Sequence, residues 1–280
     1  MHDGFATRQG VRLGIITPVA TQLPGAHAAW EADAGIEELA RLAAAADRLG
    51  FDHLTCSEHV AVPTRDAEVR GGTYWDPLST FGYLASCTAR IRLATYVLVL
   101  GYHHPLELAK RYGTLDRISG GRLVLGLGVG TLEREFELLG APFAGRGERA
   151  DDALRALRGA WGRGQVDDWV IEPHALNPST PFWIGGRTRR SLRRAVELGE
   201  GWAPFWLQPE EVAAWLVDVD VPTGFEVVAQ PTRAVDPGGD PDAVDELLAV
   251  WSAAGATVVD VPVIHHSLDH YLEQLEALAS

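Results

Sequence analysis

The chain has 280 residues, 46% of them hydrophobic, and its 38 Asp and Glu against 24 Lys and Arg give a formal charge of −14. That length and composition can bury a large core. The acidic balance argues against a nucleic-acid binder, which needs a basic face, and against attachment to anionic lipid by charge; the lack of any apolar run of about 18 residues argues against a spanning helix.

Residues 1–10 (MHDGFATRQG) are polar, carry no apolar leader, and are expected to form a flexible tail. Val11–Pro18 reads as a buried strand ending in Thr-Pro. From Ile36 to Leu49 the residues Ile36, Leu39, Leu42, Ala43, Ala46 and Leu49 recur at helical spacing, and Gly50 stops the helix. His53–Ser57 is a short strand with Glu58-His59 at its C-terminal end. A helix over Pro77–Cys87, a strand over Ile91–Val97, a helix over Pro105–Ser119 and a strand over Leu123–Gly128 follow. Gly130 opens an excursion with helices around Glu133–Leu139 and Glu148–Trp161. The strands Phe182–Ile184, Gly201–Ala203, Phe225–Val228 and Thr257–Val263 then alternate with helices Arg189–Leu198, Pro209–Leu216, Asp242–Ala254 and Leu268–Leu278.

Eight strand–helix units in strict alternation, with strands rich in Val, Ile and Leu, predict a parallel sheet covered on both faces. In this length the pattern reads as one α/β domain over residues 11–280, a (β/α)8 TIM barrel with an extended excursion between strands 4 and 5. The competing doubly wound open sheet usually carries a glycine loop after its first strand, and none stands there. In a barrel the active site lies at the C-terminal ends of the strands, so the residues after each strand are the candidates.

Glu58-His59 is the acid/base candidate, because imidazole exchanges a proton near neutral pH; the plainer reading is a histidine bonded to a neighbouring loop. Gly126-Leu127-Gly128-Val129-Gly130 admits two readings, close approach of backbone to a flat ligand or tight strand-to-helix packing. Gly185-Gly186-Arg187-Thr188 joins a strand to a helix start, where free N–H groups favour an anion, and Arg187 and Arg190 can reach a phosphate there. Arg193 and Arg194 read as a solvated face pairing with Glu197. Of nine tryptophans, Trp30, Trp75, Trp202 and Trp206 fall where they can wall a pocket, while Trp161, Trp215 and Trp251 fall on helices. His103-His104 and His265-His266 lack partners at ligand spacing, so no metal is expected. Cys56 and Cys87 read as free thiols in a reducing cytoplasm, and no GxSxG is present.

Taken together, these residues look familiar. Leu93–Gly130 (LATYVLVLGYHHPLELAKRYGTLDRISGGRLVLGLGVG), Gly50–His59 (GFDHLTCSEH), Glu135-Phe136 with Gly140, and Pro181–Gly186 (PFWIGG) with Leu192–Trp202 (LRRAVELGEGW) resemble the bacterial luciferase-like flavin/deazaflavin oxidoreductase family. The likeness is closest to the branch that uses the deazaflavin F420 and covers residues 11–210. The family fold is a (β/α)8 barrel. The resemblance implies that Glu58 and His59 lie beside the cofactor ring, with His59 handling the proton. It implies a bulge in the third strand at Thr95-Tyr96-Val97 that backs the ring, with the Tyr96–Val97 peptide cis. It further implies that Gly128 and Gly130 border the cofactor and that Gly185, Gly186, Arg187 and Thr188 bind its phosphate. Some F420 dehydrogenases carry an acid just after the fourth-strand glycines, where this chain has Thr131 with Glu133 and Glu135 nearby.

The expected protein is therefore a cytoplasmic oxidoreductase moving a hydride between F420 and a small organic substrate, without nucleic-acid or membrane partners. The resemblance also implies a homodimer, with Pro77–Cys87 and Pro105–Ser119 as its faces. An FMN-dependent monooxygenase on the same barrel and a non-catalytic flavin- or deazaflavin-binding protein are the alternatives.

Overall fold

Each of eight short apolar strands is followed by a segment that returns the chain to the same end of the sheet, so consecutive strands can only run parallel. In the computed structural model, which describes residues 4–280, these strands are β1 (Val11–Gly14), β2 (His53–Cys56), β3 (Arg92–Thr95), β4 (Leu123–Gly128), β5 (Phe182–Gly185), β6 (Gly201–Ala203), β7 (Glu226–Ala229) and β8 (Val258–Asp260). They pair in the order β1-β8-β7-β6-β5-β4-β3-β2, all parallel. The two ends of that order meet. Ile15 bridges Leu54, the Asp52 N–H donates to Leu13 O at 2.8 Å, and the Thr55 N–H donates to Ile15 O at 3.2 Å. The result is an α/β fold with a curled, mostly parallel sheet. Thr7–Arg8, within the segment expected to form a tail, adds an antiparallel stub against Val11–Arg12; the part of that expectation covering residues 1–3 lies outside the described residues.

The helices are α1 (Ile36–Leu49), α2 (Thr64–Arg70), α3 (Pro77–Cys87), α4 (Pro105–Ile118), α5 (Glu133–Leu138), α6 (Arg146–Ala160), α7 (Arg189–Leu198), α8 (Pro209–Leu216), α9 (Pro241–Ala253) and α10 (Leu268–Ala279). Helix α1 stops at Gly50, whose φ of 82° is left-handed. Helix α2 was not expected from the sequence. It has seven residues and buries none of them, so it writes no apolar stripe. Two antiparallel pairs are likewise new: Thr21–Gln22 with Thr73–Tyr74, and Gln165–Val166 with Trp169–Val170. Among the described residues, no helix is long and apolar enough to cross a membrane.

The core has two layers. Leu39, Leu42, Leu93, Leu125, Leu127 and Phe182 belong to the larger one, which packs helices onto the sheet. Ala94, Val124, Trp183, Ala203, Val228 and Val258 form the smaller one inside the curl. Below it, buried charge is paired with buried charge. Asp52 takes Arg92 Nη2 at 2.5 Å and Arg12 Nη1 at 2.7 Å, while Glu226 pairs with both arginines and accepts Trp183 Nε1 at 2.7 Å. The fully buried His53 stands between Asp52, 2.8 Å from Nδ1, and Asp260, 3.0 Å from Nε2. Burial opposes its charge, but the two carboxylates outweigh it and raise the imidazole to about 9. A side chain at Gly14 is excluded, since a Cβ there would lie 2.1 Å from Asp260 Oδ1.

Candidate active site

His59 lies three residues beyond the end of β2, and its Nδ1 sits 2.7 Å from Oε2 of Glu135 on α5. Glu135 is buried and fully engaged. Its Oε2 also accepts the Tyr102 hydroxyl at 2.8 Å, and its Oε1 accepts the N–H groups of Val60 at 2.6 Å and Ala61 at 3.2 Å. Burial alone would raise this carboxyl, but the hydrogen bonds from His59, Tyr102 and Ala61 hold it below its usual range. With Glu135 ionised, His59 donates from Nδ1, and Nε2 is left to accept or release a proton. The Tyr74 ring packs edge-on against the imidazole, 4.6 Å between centroids.

Glu58 is turned to other partners. Its Oε2 accepts the Val99 N–H at 2.7 Å and its Oε1 lies 2.7 Å from His103 Nε2. Both oxygens are thereby committed to the strand and loop that follow β3, which is a positioning geometry rather than that of a free acid.

The third strand carries the expected irregularity. Leu93 and Ala94 face Leu123 and Val124, but after the interruption Leu98 and Val99 face Leu127 and Gly128, so the register slips by one residue. The Tyr96–Val97 peptide is cis, as the resemblance implies. Thr95 Oγ1 donates to Gly126 O at 2.9 Å, the Tyr96 N–H donates to Cys56 O at 2.8 Å, and Ser57 Oγ donates to Tyr96 O at 2.8 Å. The glycines of β4 and β5 make room for this bulge. A Cβ at Gly126 would lie 1.8 Å from Thr95 O, at Gly128 2.6 Å from Val97 Cγ2, and at Gly185 2.7 Å from Val97 Cγ1. At Gly130, where φ is 76°, a Cβ would meet Phe136 at 2.6 Å. Of the two readings of GLGVG, the close packing is thus visible within the chain itself.

The turn Gly185-Gly186-Arg187-Thr188 leads into α7. Thr188 Oγ1 accepts the Ser191 N–H at 3.1 Å, and Ser191 Oγ donates back to Thr188 O at 2.7 Å. The exposed Arg187 guanidinium lies 5.0 Å from the Trp206 ring and 5.9 Å from that of Phe205. Among the described residues it has no carboxylate within 4.0 Å. Arg190 is 3.8 Å from Asp151. Arg194 departs from the expected solvated face: it is buried, pairs with Asp151 and donates to Gly147 O at 3.0 Å. Glu197 pairs instead with Arg155, at 3.0 Å.

The tryptophans divide differently from expectation. Trp202 is fully buried and donates to Gly186 O at 3.2 Å, so it braces the turn before α7 from behind. Trp30 donates to His265 Nδ1 at 2.9 Å, Trp75 O accepts Cys56 Sγ at 3.3 Å, and Trp206 is exposed beside Arg187. Burial pushes the Cys56 thiol up to about 12, so it stays protonated. Among the described residues, no three metal-ligating side chains converge.

What the sequence did not reveal is the partnership around His59. Glu135 lies 76 residues away, and no spacing rule connects the two. The sequence pattern singles out neither Tyr74 nor Tyr102, and Arg70 sits at the end of the unexpected α2.

The model of the luciferase-like monooxygenase family matches residues 11–271. A Mycobacterium tuberculosis protein of uncharacterised function is 28% identical over 276 residues, covering 90% of this chain and 95% of its own. Among solved structures, the monooxygenase RslO1 from Streptomyces bottropensis superposes with a TM-score of 0.73 at 23% identity, over 96% of this chain and 98% of that one. An F420-dependent secondary alcohol dehydrogenase in complex with an F420-acetone adduct superposes at 0.69 with 13% identity, over 96% and 99%. The oxygenating constituent of 3,6-diketocamphane monooxygenase from Pseudomonas putida, in complex with FMN, superposes at 0.69 with 18% identity, over 97% of each chain.

Proposed function

As this chain belongs to the luciferase-like monooxygenase family, we propose that it is an F420-dependent oxidoreductase acting on a small organic substrate. In this reading residues 11–280 form a single (β/α)8 barrel with an excursion between β4 and β5, and the site lies at the C-terminal strand ends. The observation that carries the proposal is the oriented His59–Glu135 pair at the same end as the Thr95–Val97 bulge.

The residues present fit the cofactor's chemistry. F420 bears a phosphate and an anionic tail. The start of α7 offers backbone N–H groups and Arg187, a guanidinium with no carboxylate within 4.0 Å among the described residues. Gly185, Gly186, Arg187 and Thr188 would hold the phosphate, and Thr95, Tyr96 and Val97 would back the ring. Gly128 and Gly130 allow the bulge and Phe136 to take their places. When bound, F420 supplies two-electron hydride chemistry, which the protein itself lacks. His59 Nε2 holds or releases the accompanying proton, Glu135 fixes the imidazole, and Tyr74 covers it from water. Glu58 positions the chain after the bulge through Val99 and His103.

Fluorescence titration with F420 and FMN side by side tests the reading. Tighter F420 binding is expected. Equal or tighter FMN binding overturns it in favour of an FMN-dependent monooxygenase.

A further inference from the structure

Arg70 ends helix α2, and two contacts fix it over the mouth of the site. The Tyr74 hydroxyl donates to Arg70 O at 2.5 Å, while Arg70 Nη1 donates to Thr131 Oγ1 at 3.4 Å. The same Tyr74 packs its ring on His59. The Arg70 backbone is thus tied through Tyr74 to His59, while its guanidinium reaches the loop that leaves β4 at Thr131. Among the described residues no carboxylate lies within 4.0 Å of it. Glu58 and Glu135 direct their oxygens to other donors, so neither forms an ion pair with Arg70. From the other side, Arg146 Nε donates to Gly130 O at 3.0 Å, and its guanidinium stacks 3.8 Å over Phe143. Gly130–Thr131 is thus flanked by two guanidiniums, in a chain whose formal charge is −14.

A guanidinium with no ion-pair partner leaves planar donors free to match a carboxylate or phosphate. We propose that Arg70, with the Thr131 hydroxyl, binds an oxyanion of the substrate, so that the enzyme selects anionic substrates over neutral ones of the same shape. This rests on the reading of His59 as the reacting end of the pocket. The oxyanion sits beside that end, and the cofactor phosphate is assigned to the separate turn at Arg187.

The test uses the full chain with benzoate and benzamide, which differ in charge and little in shape. Calorimetric titrations are run on the wild type, Arg70→Gln and Arg70→Lys, each with and without saturating F420. Benzoate is expected to bind the wild type in preference to benzamide, to weaken by roughly tenfold or more in Arg70→Gln, the scale of a lost charged hydrogen bond, and to recover in part in Arg70→Lys. Benzamide binding and F420 affinity should not change. Absence of benzoate binding or of a preference over benzamide, or equal benzoate binding in Arg70→Gln, overturns the proposal. A loss of F420 affinity in Arg70→Gln with benzoate unaffected assigns the arginine to the cofactor phosphate and also overturns it. Failure of F420 to bind the wild type sinks the functional reading alone, since the cofactor-free titrations still decide the role of Arg70.

Discussion

His59 and Glu135 stand 76 residues apart in the chain and 2.7 Å apart across the mouth of the fold. A buried carboxylate with four donors cannot swing away, so it fixes both the tautomer and the tilt of the imidazole. The segments after β2 and β4 meet at this pair.

Replacing His59 with Ala should leave the fold and F420 affinity within about tenfold of the wild type while turnover falls by roughly 10²-fold or more, the scale of a lost general acid/base. Circular dichroism, cofactor titration and steady-state rates measure the three quantities. Unchanged turnover would make His59 a packing residue.

Glu135→Gln keeps the shape of the side chain but removes its charge. Turnover should drop by about 10- to 100-fold with F420 affinity preserved, because His59 loses the partner that sets its protonated nitrogen. A drop confined to cofactor affinity would instead place Glu135 in cofactor binding.

Salt tests the turn after β5. F420 affinity should weaken as ionic strength rises, since Arg187 is exposed and its attraction is screened. Arg187→Gln should weaken F420 binding and flatten the salt dependence. An affinity indifferent to both changes removes the turn from the cofactor site.

Stability should follow the protonation of His53. Its folded value, about 9, lies above the unfolded value near 6.5, so the folded state binds the extra proton between them. The stabilisation is complete below about pH 6.5 and is lost as pH rises through about 9. Urea midpoints measured from pH 6 to 10 should fall over that window. His53→Gln should remove most of the slope, and a midpoint rising with pH would refute the charge state of this histidine.

Gly128→Ala should destabilise the protein by about 1–3 kcal/mol, the usual cost of overpacking, because the new methyl meets Val97 Cγ2 at 2.6 Å. Adding Val97→Ala should restore part of the loss in a double-mutant cycle. Strict additivity of the two changes would mean that the clash is not with Val97.

Much of the fold is written in local pattern. Helix α3, helix α7 and strand β4 occupy the residues that periodicity, proline and glycine assign to them, because each buries an apolar face and ends at a recognisable stop. Helix α2 and the Thr21–Gln22 and Thr73–Tyr74 ribbon left no such signal, being short and half-exposed. Of the candidate site, His59 and the turn after β5 stand at strand ends as the sequence pattern expects, because residue type and strand end coincide there. Glu135 and Tyr74 meet His59, and Tyr102 meets Glu135, only through tertiary proximity, and nothing in the spacing of the residues encodes that. Arg194 shows the converse: a charge that local pattern assigns to solvent is buried because α6 presents Asp151 to it.

The ribbon of Thr21–Gln22 and Thr73–Tyr74 ties the loop after β1 to the loop after β2. Trp75 strengthens the tie by donating its N–H to Ala20 O at 2.9 Å. The segment bearing Tyr74 cannot lift from His59 without dragging the first loop along. Any movement of this segment is therefore a correlated movement of two segments distant in sequence. Their amide protons should exchange with solvent as one cooperative unit, ahead of the strands beneath them.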